Sequence, residues 1–116
     1  MAKISLEVQT REVQRNLVID IRGDVDLYSS RKMRSAILDG INRQETPLIA
    51  VNMSGVGYID SSGVATLVEG LQHARSRKCR FVLFGLQQGA KEVLELARLD
   101  KIFEIRITEE DALSEG

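Results

Sequence analysis

The middle of the chain combines an apolar run, a short polar turn and an amphipathic segment, one directly after another. Residues 48–53 are apolar except for Asn52 and are bounded by Pro47 and by Ser54-Gly55, which predicts a buried strand. Over residues 62–77 apolar residues recur at helical spacing, which predicts a helix with one buried face. The turn contains Asp60-Ser61-Ser62-Gly63, and Ser61 or Ser62 is the expected N-cap. A strand, a turn and a helix in so few residues favour an α/β fold.

The rest of the chain continues this alternation. Alternating apolar residues predict a strand over residues 4–8 and a second over 17–21, which would pair antiparallel. The remaining predicted elements are a helix after Ser29 or Ser30, a strand over 80–85, a helix around 90–97, a strand over 103–107 and a terminal helix from Thr108. Each β-α-β step implies a right-handed crossover. We therefore expect a single domain, residues 1–116, with one mixed sheet, an antiparallel first pair and helices mainly on one face.

Composition and charge exclude several classes of protein. The chain has 116 residues, of which 43% are hydrophobic and 28% charged, as in an ordinary globular domain. The net charge of −1, with lysine and arginine dispersed, argues against nucleic acid as a partner. No apolar run reaches the roughly 18 residues of a membrane span, and residues 1–7 lack the apolar centre of a signal peptide. Cys79 is alone, so we expect a cytoplasmic protein without an internal disulfide.

The residues near Ser61 do not complete a catalytic or cofactor site. Ile59 stands where the nucleophile elbow of a serine hydrolase needs a glycine. His73, the one histidine, lies about 18 Å along the predicted helix from Ser61 and is expected to be a solvated surface residue. One histidine and one cysteine do not make a zinc site, and Asp60 replaces the third glycine of a dinucleotide-binding fingerprint. We expect no serine hydrolase activity, no metal and no cofactor.

Three carboxylates are predicted to lie near Ser61. Asp24 and Asp26 follow the second strand and Asp60 follows the third, so the three share one edge of the sheet if those strands are neighbours. Three interpretations stay open: solvated turn and cap residues, a general acid–base pair, or an acidic docking surface. A hydroxyl at an exposed, positively polarised helix start also suits a phosphate acceptor, while the alternative is that Ser61 and Ser62 only cap the helix.

These segments resemble those of the STAS domain family, and within it the single-domain anti-sigma factor antagonists of bacteria. Gly23-Asp24-Val25-Asp26 resembles the family's Gly-Glu-Leu-Asp turn, with Asp24 in place of the glutamate. The segment 59–64 resembles the phosphorylation segment, in which the serine directly after the aspartate is modified. Residues 91–103 are similar to the late helix-to-strand passage, so the resemblance runs nearly end to end.

The resemblance implies a regulatory binding protein and not an enzyme. In the family, the unphosphorylated protein binds an anti-sigma factor that is also an ATP-dependent serine kinase, and so releases a sigma factor. Phosphorylation ends the binding, and a serine phosphatase restores it. By position, Ser61 would be the phosphate acceptor, with Asp26 and Asp60 contributing to kinase recognition. The implied partner-binding residues are Asp24, Asp26, Asp60, Ser61, Ser62 and Gly63.

The resemblance also leaves a second role open. STAS proteins serve as accessory subunits of lipid-transport ABC complexes or of stress-sensing assemblies. In such a role Ser61 would not be phosphorylated, and the helix 62–77 would be a permanent docking face. No direct membrane insertion is expected in either case, and a homodimer is compatible with both.

Overall fold

The computed structural model describes residues 6–43 and 45–114. In chain order its elements are β1 (Glu7–Val13), β2 (Asn16–Arg22), α1 (Ser30–Asn42), β3 (Leu48–Gly55), α2 (Ser61–Ser76), β4 (Arg80–Phe84), α3 (Gln88–Leu96), β5 (Glu104–Arg106) and α4 (Glu109–Leu113). This is the predicted order of strands and helices. The first half of the first predicted strand, before residue 6, lies outside the described residues.

The five strands form one mixed sheet in the order β1-β2-β3-β4-β5. β1 and β2 are antiparallel, and Gln14 and Arg15 form the tight turn between them with φ values of 51° and 74°. The pairs β2–β3, β3–β4 and β4–β5 are parallel, and one helix makes each crossover. Because β2 and β3 are parallel neighbours, the turns that follow them emerge at the same edge of the sheet.

Helices α1, α2 and α3 cover one face of the sheet, as predicted. The strands alternate their side chains, so that Ile19 faces these helices while Val18 faces the other side. Ile37 of α1 and Leu67 of α2 are fully buried in the same cluster as Ile19. The opposite face carries a smaller apolar cluster that α4 covers: Val18, Leu48, Ala50, Val82, Phe84 and Ala112.

At the rim of the smaller cluster, one ion pair connects α4 to the sheet and one hydrogen bond connects the residue after α4 to it. The Arg11 guanidinium lies between two carboxylates, with 2.6 Å from Nε to Asp20 Oδ2 and 2.6 Å from Nη2 to Glu109 Oε1. The hydrogen bond from Arg11 holds the pKa of Asp20 below its ordinary value. Arg80 pairs with Glu104 and donates to the carbonyl oxygen of Ser114 at 2.7 Å.

The last predicted strand and the third predicted helix differ in extent from the structure. Phe103 and Ile107, the ends of the last predicted strand, lie outside β5. Phe103 is buried in the main core, while Ile107 is exposed. The third helix ends at Leu96 because Arg98 adopts φ 58°, the left-handed conformation that commonly follows a helix.

None of the helices in the described parts of the chain combines the length and the apolar character that crossing a bilayer requires.

Candidate functional site

The turns after β2 and β3 are joined side by side. Val25 and Ile59 form a parallel bridge between them, and both side chains are buried. The Val25 N–H donates to the carbonyl oxygen of Tyr58 at 2.9 Å, and the Asp60 N–H donates to that of Val25 at 3.0 Å. The prediction that the acidic turns of residues 24–26 and 60 meet at one edge of the sheet is confirmed by this pairing.

Asp60 is the N-cap of α2, so the predicted cap, Ser61 or Ser62, is wrong. The Oδ1 atom of Asp60 accepts hydrogen bonds from the Ser62 N–H at 2.9 Å and the Gly63 N–H at 3.1 Å. The backbone of Asp60 is extended, and its carbonyl oxygen accepts from the Val64 N–H at 3.0 Å. The helix therefore runs from Ser61 to Ser76, one residue earlier than predicted at each end.

The cap leaves the Ser61 hydroxyl unused. Ser61 is the first residue of α2 and is exposed, and its hydroxyl makes no hydrogen bond to any residue within 6–43 or 45–114. Ser62 is the second residue and is partly buried. Neither serine caps the helix, and Ser61 is the more exposed of the two, so its hydroxyl is the better placed to accept a phosphate.

Gly63 allows α2 to begin directly against the bridge. It is buried, and a Cβ atom at this position would lie 2.5 Å from Ile59 Cγ1 and 2.7 Å from Val25 Cγ1. Atoms that close overlap, so any larger residue would displace the bridge or the helix. Gly63 therefore acts through packing: it sets the position of Ser61 relative to the acidic turns.

A closed set of hydrogen bonds shapes the turn from Asp24 to Ser29. Asp26 Oδ1 accepts from the N–H groups of Tyr28 at 3.0 Å and Ser29 at 2.9 Å. The Ser29 hydroxyl accepts from the Asp26 N–H and donates to the carbonyl oxygen of Asp24, each at 2.9 Å. Ser29 occupies the N-cap position of α1, but its side chain makes no capping bond because these contacts engage it.

Three exposed apolar side chains flank the carboxylates, and the sequence interpretation missed them. Leu27 is 61% exposed, Tyr28 81% and Tyr58 53%. Leu27 and Tyr28 stand between Asp26 and Ser29, within the hydrogen-bonded turn. An apolar pair inside a turn-forming segment is the signal that would have identified them.

The described residues near Ser61 offer no catalytic partner. His73 Nε2 lies 2.7 Å from Asn42 Oδ1, and twelve residues of helix separate it from Ser61. The buried Cys79 thiol has its pKa raised by burial. In the described ranges, no three or more His, Cys, Asp or Glu side chains are grouped so as to hold a metal ion. Asp24 is exposed, and Asp26 and Asp60 are partly exposed, so the three carboxylates lie at the surface.

The chain is similar to anti-sigma factor antagonists in sequence and in structure. It is 29% identical over 106 residues to an anti-sigma-B factor antagonist of Listeria monocytogenes, with 91% of each chain covered. It shares the fold of an anti-sigma factor antagonist from Mycobacterium paratuberculosis, with a TM-score of 0.85 and 20% identity over 94% of this chain and 92% of that one. The Bacillus cell fate determinant SpoIIAA in its phosphorylated form gives a TM-score of 0.72 at 23% identity, covering 92% of this chain and 96% of that one. Because residues 7–112 match the STAS domain, the chain belongs to the STAS domain family.

Proposed function

We propose that the chain is an anti-sigma factor antagonist that works by partner switching. The unphosphorylated chain binds an anti-sigma factor that is also a serine kinase, and this binding releases a sigma factor. Phosphorylation of Ser61 ends the binding, and a serine phosphatase restores it. Membership of the STAS family and the similarity to the Listeria antagonist support the proposal.

The observation that carries the proposal is the exposed Ser61 hydroxyl at the start of α2. Because Asp60 caps the helix, this hydroxyl is not needed for folding and is open to a kinase. A protein of the same fold, SpoIIAA, has been solved in a phosphorylated form, which is further support.

The local electrostatics favour a switch at this position. Phosphorylation adds about −1.5 to −2 charges, against a net charge of −1 for the whole chain. The N–H groups of Ser62 and Gly63 already donate to Asp60, so they are engaged and the phosphate stays at the surface beside a carboxylate. A partner surface matched to a neutral hydroxyl would have to desolvate this phosphate. One unsatisfied buried polar group costs about 1–3 kcal/mol, and an unpaired charge costs more, so affinity falls tenfold or further.

In this proposal the chain acts in the cytoplasm as a ligand and a substrate, without a catalytic step of its own. Asp24, Asp26 and Asp60 belong to the kinase-recognition surface, together with Ser61 and Ser62. Gly63 contributes by setting the position of the helix start.

The experiment is a quantitative pull-down from lysate of the native cell, with Ser61→Ala and Ser61→Asp baits compared by mass spectrometry. We expect a serine kinase of the anti-sigma type on the alanine bait and its loss from the aspartate bait. Ser35 is an exposed serine of α1, so Ser35→Ala and Ser35→Asp form the matched control pair, and both should retain the kinase. Equal recovery of transporter subunits on both Ser61 baits would instead identify a constitutive accessory subunit.

A further inference from the structure

Exposed apolar side chains are concentrated beside the acidic turns. Six large apolar residues of the described ranges are exposed, and three of them, Leu27, Tyr28 and Tyr58, lie on the two segments that the Val25–Ile59 bridge joins. The others are distributed elsewhere: Leu96, Ile102 and Ile107. Apolar groups gathered on an otherwise polar surface, with tyrosine prominent among them, are typical of the centre of a protein interface.

Hydrogen bonds fix the backbone of Tyr28 and Tyr58, while both side chains stay exposed. Tyr28 donates its N–H to Asp26 and lies in the turn that Asp26 and Ser29 close. Tyr58 is anchored because its carbonyl oxygen accepts from Val25, while the next residue, Ile59, fills the core. A surface whose backbone is already fixed loses little conformational entropy when a partner binds.

Charged groups beside the apolar residues bear on which partner segment can dock there. Asp24 is exposed, Asp60 is partly exposed, and within residues 6–43 and 45–114 no lysine or arginine forms an ion pair with either. Tyrosine rings also attract cations to their faces. Asp24, Asp60 and the tyrosine rings therefore offer partners to a positively charged group that lies beside an apolar one.

We propose that Leu27, Tyr28 and Tyr58 form an apolar anchor on which the anti-sigma factor kinase docks through a segment that carries arginine or lysine beside an apolar side chain. The inference rests on the proposed function and extends it, since none of the three residues belongs to the phosphorylation segment's Asp-Ser-Ser-Gly core. Docking at this anchor places the kinase over the same edge of the sheet as Ser61.

The test measures by calorimetry the affinity of the purified serine kinase for the wild-type chain and its variants. We expect the double variant Leu27→Ser/Tyr28→Ser to bind about 30-fold more weakly, the size of a hot-spot loss, and Tyr28→Phe to bind like the wild type because it keeps the ring. The matched control is Leu96→Ser/Ile107→Ser, which removes two side chains that are 86% and 84% exposed elsewhere and should leave the affinity unchanged.

The outcomes separate this inference from the proposed function. A wild-type chain that does not bind the kinase contradicts the proposed function itself. Wild-type binding that Ser61→Asp abolishes but Leu27→Ser/Tyr28→Ser leaves unchanged overturns the anchor alone. If the wild type is a dimer and the double variant is a monomer with unchanged kinase affinity, a second copy of the chain covers this surface and the anchor is overturned. Circular dichroism checks folding, and the single variant Tyr28→Ser keeps the test decisive should the double variant unfold.

Discussion

Replacing Gly63 with alanine tests whether close packing of α2 against the Val25–Ile59 bridge fixes the site. The added methyl would lie 2.5 Å from Ile59 Cγ1 and 2.7 Å from Val25 Cγ1. Both atoms are attached to Cβ of β-branched residues, so neither moves far without its backbone. The strain therefore falls on the pairing that holds the two acidic turns together.

The magnitude follows from two opposing effects. Overpacking a filled core costs about 1–3 kcal/mol, while alanine in a helix is about 1 kcal/mol more favourable than glycine. Because Gly63 is in the first turn, where helix propensity counts least, we expect a net loss of about 1–2 kcal/mol in the free energy of unfolding.

Urea unfolding followed by circular dichroism measures this loss as a lower midpoint at constant slope. Gly89 is the matched control, because it also lies in the first turn of a helix, α3, and its added methyl would be 3.4 Å from the carbonyl oxygen of Gly57. Gly89→Ala should be as stable as the wild type or slightly more so. Equal midpoints for Gly63→Ala and Gly89→Ala would refute the packing argument.

Two further predictions concern the cap and the outer ion pairs. Asp60→Ala removes the acceptor of the Ser62 and Gly63 N–H groups and should lower the free energy of unfolding in urea by about 1 kcal/mol. Asp60→Asn keeps an acceptor oxygen and should keep most of the stability. Equal losses in the two variants would contradict the role of Asp60 as N-cap. Glu104 has a pKa held below its ordinary 4.5 by the hydrogen bond from Arg80, so its contribution to stability is present above pH 4.5 and is lost as the pH falls through the lowered pKa. In acid titrations of unfolding, Glu104→Gln should therefore show a flatter decline below pH 4.5 than the wild type; parallel curves would contradict this.

The order of the elements could be predicted because each one has its own apolar pattern. The buried run of β3 and the helical spacing of α2 are both local signals. That β3 lies beside β2 follows because strands joined by one helix are usually neighbours in the sheet. The extent of β5 could not be predicted in this way. Alternation continues to Ile107, but pairing stops at Arg106 because its partner β4 ends at Phe84, before Gly85 turns with φ 73°.

The details of the site depend on contacts that the local sequence does not specify. Asp60 and Ser61 are both good N-cap residues. The choice between them is made by the hydrogen bond from the Asp60 N–H to the carbonyl oxygen of Val25, a residue in the turn after β2. The exposure of Leu27 and Tyr28 depends on the bonds between Asp26 and Ser29. The apolar pair within a turn-forming segment marks Leu27 and Tyr28 in the sequence, but a turn has no periodicity that would give their degree of exposure.

The most direct test of the partner switch is the affinity of the serine kinase for the chain before and after phosphorylation. The phosphorylated chain is prepared with the kinase and ATP, its modified residue is identified by mass spectrometry, and both forms are titrated by calorimetry. We expect a single phosphate on Ser61 and an affinity at least tenfold weaker, with Ser61→Ala unmodified and still bound. A phosphate on another residue, or equal affinity of the two forms, would contradict it.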